Sequence, residues 1–101
     1  MARYDVVWPR APRTTPVGKL APRPPSLSGR RVAFLWDYLF RGDEIFPLLE
    51  EELSRAYPGV TFVGYHEFGT THGEGEHELL ACLGERLHAL EVDAVVSGMG
   101  C

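Results

Sequence analysis

Residues 93–101 read DAVVSGMGC: a strand-forming run, a short glycine-bearing turn, then a thiol. Glycine lets backbone N–H groups turn toward a ligand, and a helix N-terminus favours the thiolate form of a cysteine placed there. Cys101 would open the helix after this strand, which makes it the candidate nucleophilic or redox residue of the chain. Ser97, Gly98 and Gly100 lie just before it as candidate substrate-binding positions. Two further segments carry polar groups suited to the same site. Asp37 and Arg41 follow the first apolar run, and Thr70, Thr71 and His72 open the loop GTTHGEGEHE. These supply a carboxylate, a guanidinium, two hydroxyls and an imidazole for orienting a small substrate. The second thiol, Cys82, falls inside a helical stretch beside its apolar stripe and reads as a packed cysteine. His66, His72 and His77 match no zinc spacing. Neither GTTHGEG nor SGMGC is a dinucleotide or phosphate loop, so no cofactor is expected.

The elements that must present these residues alternate along the chain. RVAFLWDYLF (31–40) is continuously apolar rather than alternating, as in a strand buried on both faces of a parallel sheet. Residues 42–57 have helical periodicity, with Ile45, Leu48, Leu49, Leu53 and Ala56 on one face. Asp43 is the expected cap, Pro47 is early enough to be tolerated, and Pro58-Gly59 ends the helix. VTFVGYHEF (60–68) is the second expected strand, and HELLACLGERLHALE (77–91) the second helix, with Leu80, Leu83, Leu87 and Leu90 inward. Residues 93–98 form the third strand. This βαβαβ order predicts an α/β fold, a partial Rossmann-like or flavodoxin-like domain with a three-stranded parallel sheet. Ligands in such sheets bind beyond the carboxyl ends of the strands, where all three candidate segments fall.

Residues 1–29 are a separate Pro/Arg-rich arm, and residues 30–101 form the α/β body. Six prolines in the first 25 residues block helix and ladder hydrogen bonds, so the arm is expected to be extended, with Trp8 and Leu20 available to dock it on the body. Charge divides along the same line. Residues 1–31 carry seven basic residues against one acid, +6, whereas residues 32–101 carry three against thirteen, −10. The arm lacks interleaved aromatics and can pair with its own acidic body, which argues against nucleic acid as the partner. No apolar run approaches the ~20 residues of a membrane span, and no signal peptide is visible. Two cysteines make no disulfide framework, so a cytoplasmic location with free thiols is expected.

LAPRPPSLSGRRVAFLWDYLFRGDEIF, two βα repeats and DAVVSGMGC together resemble the UGSC-like family over roughly residues 20–101. That family is named for a U-G-S-C motif in which U is selenocysteine, replaced by cysteine in many members. The resemblance implies a thiol- or selenol-dependent reaction at the mouth of the third strand, with a downstream cysteine able to resolve the intermediate by exchange. It also implies that the motif follows Cys101, with a UGA selenocysteine codon read as a stop. Under that expectation the chain is the N-terminal part of a longer selenoprotein. Two other readings compete. A racemase of the aspartate/glutamate type needs two facing thiols, and Cys82 in mid-helix is badly placed for the second. A non-catalytic subunit would use its arm and an open sheet edge to bind a partner. The expected partners are a small-molecule substrate of unknown identity and either a second copy of the chain or a complementing C-terminal polypeptide.

Overall fold

A computed structural model describes residues 2–12 and 14–100. The order is β1 (Arg31–Trp36), α1 (Gly42–Ala56), β2 (Thr61–Val63), a 3-10 turn (Tyr65–Glu67), α2 (Glu76–Ala89) and β3 (Ala94–Gly98). The three strands form one parallel sheet in the order β2-β1-β3. The α/β expectation therefore holds, and the order is that of the first three strands of a flavodoxin-like doubly wound sheet.

β1 is central because its sequence suits burial on both faces. Val32 to Trp36 are all buried, and alternate residues serve different layers. Phe34 and Trp36 pack with Phe46, Leu49 and Leu53 of α1 and with Phe62 and Val96 of the flanking strands. Ala33 and Leu35 face the other way, onto Leu79, Leu83 and Leu87 of α2 together with Phe68. The two helices thus cover opposite faces of one strand. Burying each large side chain in these layers stabilises the fold by about 1.5–3 kcal/mol.

Leu49 and Leu53 of α1 and Leu83, Leu87 and Leu90 of α2 pack inward as expected, and the stripes differ from the sequence expectation at their other positions. On α1 the inward residues are Gly42, Phe46, Leu49 and Leu53, whereas Ile45, Leu48 and Ala56 are exposed. On α2 the buried residue is Leu79, and Leu80 is 54% exposed. On α1 the larger Phe46 packs with Phe34 and Trp36, and on α2 Leu79 packs with Ala33, Leu35 and Phe68, and these contacts set the helix phases. Asp43 is not the cap. Arg41 holds the cap position in a left-handed conformation without a side-chain bond, and Asp43 and Glu44 sit in the first turn, where the helix dipole favours acids.

β2 is shorter than 60–68. It ends at Val63, and the chain turns through Gly64 so that Tyr65 joins an aromatic group with Trp36, Tyr38 and Phe46. The arm has no helix or strand among its described residues. Trp8 and Leu20 are 79% and 86% exposed, so they do not dock it on the body. Attachment begins near the body, where Gly29 N–H donates to Pro58 O at 3.1 Å.

Candidate functional site

A sheet in the order β2-β1-β3 reverses its winding between β1 and β3. The crossover after β1 goes one way and the crossover into β3 goes the other, which leaves a crevice at the carboxyl ends of those two strands. The side chain at that point is Asp37, the first residue after β1. It is 8% exposed, the one buried charged residue among those described. Its backbone N–H donates to Gly98 O at 3.1 Å, continuing the ladder with β3. Its Oδ1 accepts from Met99 N–H at 3.2 Å and from Leu39 N–H at 3.1 Å. One carboxylate oxygen therefore fixes both the turn leaving β1 and the backbone leaving β3. Asp37 thus caps the turn through Leu39 N–H and also bonds across the sheet to Met99 N–H.

The turn itself has an unusual backbone. Tyr38, Phe40 and Arg41 all have positive φ, at 62°, 60° and 61°. Each is a conformation that L-residues with a Cβ occupy at a cost of about 1–2 kcal/mol. Such conformations persist where the surroundings over-determine them, and they concentrate at functional sites. Here Trp36 supplies part of the restraint. Its Nε1–H donates to Leu39 O at 2.9 Å, and its ring stacks on Tyr38 with centroids 4.4 Å apart. Gly42 completes the arrangement, because a Cβ there would lie 2.3 Å from Trp36 Nε1.

The second strand's loop reaches the same rim. Thr71 N–H donates to Trp36 O at 3.1 Å, and Thr70 bridges to Trp36 in parallel fashion. The Thr70 hydroxyl donates to His72 O at 2.7 Å and accepts from His72 N–H at 3.1 Å, which holds the loop in a tight turn. Asp37, Tyr38, Leu39, Thr70, His72 and Glu74 enclose an open cleft of about 460 Å³. That is within the size range of small-molecule sites. A second depression of about 370 Å³ shares Thr70 and Glu74 and continues past Glu78 and Cys82 to Arg86.

Of the site residues expected from sequence, Asp37, Thr70 and His72 line the cleft. Thr71 is half-buried and bonded to β1 through its backbone. Gly98 supplies the carbonyl that receives Asp37 N–H, and Ser97 and Gly100 are exposed at the end of β3. Arg41 is not in the lining. Its guanidinium pairs with Glu44 at 2.5 Å on the surface. Cys101 lies outside the described residues. Cys82 is half-buried rather than deeply packed, and its Sγ lies 3.6 Å from Leu79 O. Sequence reasoning passed over Leu39 and Glu74 and gave Tyr38 no role. Glu74 had a signal, since it sits between two glycines in the loop that must border the rim.

Comparison with known proteins adds one finding. The model of the UGSC family matches residues 5–101. No curated protein and no solved structure matches the chain. No helix among the described residues is long and apolar enough to cross a membrane.

Proposed function

The chain belongs to the UGSC family, and from that premise we propose that it forms the substrate-binding rim of a cytosolic thiol- or selenol-dependent enzyme of redox or sulfur chemistry. The observation that carries this reading is the bond from Met99 N–H to Asp37 Oδ1. It ties the backbone leading to Cys101 to Asp37, a residue that lines the cleft between the turn after β1 and the loop at residues 70–74. A sulfur or selenium atom delivered by that segment enters the crevice where a doubly wound sheet binds its ligand. Thr70 and His72 supply hydrogen-bonding groups, and Tyr38 and Leu39 an apolar wall.

The reaction class is exchange at sulfur. A thiolate or selenolate attacks an electrophilic sulfur, the new bond forms as the old sulfur leaves with its electron pair, and a second thiol displaces the product. Dithiodipyridine is a suitable neutral probe. The expected result is a rapid burst of about one equivalent of released pyridinethione per chain, followed by a slow phase from the other cysteine. A single slow phase for both thiols contradicts the proposal. The selenol form is tested separately in the gene. A UGA codon followed in frame by Gly-Ser-Cys after codon 101 supports it, and a stop codon other than UGA, or UGA with no in-frame Gly-Ser-Cys after it, removes it.

One observation favours a second reading, a subunit completed by a partner. On its outer side β3 pairs with no strand among the described residues, and Val95, its second residue, is 42% exposed. The strand AVVSG carries neither charge nor proline to guard that edge. Size-exclusion chromatography separates the two: a monomer that stays soluble at high concentration contradicts the subunit reading.

A further inference from the structure

We infer that the cleft between the turn after β1 and the loop at residues 70–74 selects a ligand bearing an ammonium group on an apolar body. The inference rests on the reading above only in taking this cleft as the substrate site. Asp37 Oδ1 is fully engaged by two backbone N–H groups, but Oδ2 accepts from no described group. Among the described residues no wholly buried side-chain oxygen or nitrogen lacks a partner. Oδ2 is therefore the part of this otherwise buried residue that stays open, and the cavity Asp37 borders is the cleft. A carboxylate oxygen left open at the wall of a cleft is an acceptor and a charge partner for a ligand cation.

The rest of the lining suits the same ligand. Glu74 adds a second carboxylate, and the lining has one imidazole, His72, but no lysine or arginine. Neither acid is in an ion pair with any described residue. Tyr38 is 45% exposed, so its ring is available to a cation, and Leu39 beside it contacts an apolar substituent. A bare divalent ion fits less well, because calcium needs six or more oxygen ligands and the aromatic wall offers none. The −10 charge of residues 32–101 adds a long-range attraction for the same sign.

The test uses the full chain carrying Trp8→Phe, so that Trp36, stacked under Tyr38, is the only tryptophan reporting by fluorescence. Phenethylammonium is titrated against phenylethanol, phenylacetate and magnesium chloride. The ammonium is expected to bind about tenfold more tightly than the alcohol, as one charge-assisted contact supplies. Phenylacetate is expected to bind more weakly than either. Glu74→Gln, at an exposed position, should reduce the preference severalfold without changing the fold. Asp37→Asn, which keeps an acceptor for both N–H groups, should abolish it with the circular dichroism spectrum unchanged. Equal affinity for the ammonium and the alcohol overturns the inference, as do tighter phenylacetate binding, saturation by magnesium at lower concentration, or a preference that survives in Asp37→Asn. If the ammonium preference is absent while the thiol burst remains, this inference alone fails.

Discussion

The two ends of the sheet solve the same problem with the same residue type and reach different outcomes. At the amino end, Asp93 Oδ2 accepts from Arg31 N–H at 2.9 Å, which ties β3 to β1. At the carboxyl end, Asp37 Oδ1 accepts from Met99 N–H and ties β1 to β3. Asp93 is partly exposed and faces Arg30 at 3.6 Å, while the Arg31 guanidinium donates to Leu90 O at 2.6 Å. Asp37 is buried and in no ion pair with a lysine or arginine among the described residues. The amino end is charge-compensated, and the cavity there, lined by Gly29, Arg31, Thr61, Glu91 and Asp93, is smaller, at about 290 Å³. The carboxyl end keeps a carboxylate oxygen, a left-handed turn and an open cleft. This difference between the rims is what the proposed binding site draws on.

Removing each aspartate gives the largest contrast. Asp37→Ala leaves the N–H groups of Leu39 and Met99 without their charged acceptor in a partly buried setting, and should lower stability by about 2–3 kcal/mol. Asp93→Ala acts where water can replace the carboxylate, and should cost about 1 kcal/mol. Urea unfolding of both variants measures the difference. Equal losses would remove the distinction between the rims.

A smaller effect sharpens the account of the carboxyl rim. Gly42→Ala puts a methyl group against Trp36 Nε1 and must displace the ring or break its bond to Leu39 O. The expected loss is about 1–3 kcal/mol, with a shifted Trp36 emission. An unchanged spectrum with unchanged stability would show that the turn does not depend on Trp36.

The smallest effect concerns backbone strain, which occurs at both rims. Glu91 has φ 54° just after α2, the position where helices favour glycine, so Glu91→Gly should gain about 0.5–1 kcal/mol and leave thiol exchange unchanged. Phe40→Gly should gain a similar amount, about 0.5 kcal/mol, but slow the exchange by loosening the turn that walls the cleft. Thermal unfolding together with exchange kinetics reads both. Two variants with the same kinetic effect would mean that strain at the carboxyl rim serves no site.

These contrasts also explain what the sequence discloses and what it hides. β1 is legible because residues 32–36 are apolar without alternation, and only burial on both faces accommodates that pattern. The order of elements follows from it. The helix phases are less legible. Leu49 and Leu53, like Leu83 and Leu87, fit either of two neighbouring stripes, and Phe46 and Leu79 decide between them only through tertiary packing. Asp37, Thr70 and His72 could be placed at the rim from the strand order alone. The bond that joins Asp37 to Met99 could not, since the partners are 62 residues apart and one of them is a backbone group. Nor do Tyr38, Phe40 and Arg41 announce a left-handed turn, because none is the glycine or asparagine that usually marks one.

The central claim is that the carboxyl rim presents the reactive sulfur. Site-resolved alkylation at neutral pH, read by peptide mass spectrometry, tests it most directly. Cys101 is predicted to react about tenfold or more faster than Cys82, which sits half-buried in α2 with Leu79 O close to its sulfur. Equal, slow modification of the two cysteines, or faster modification of Cys82, would contradict it.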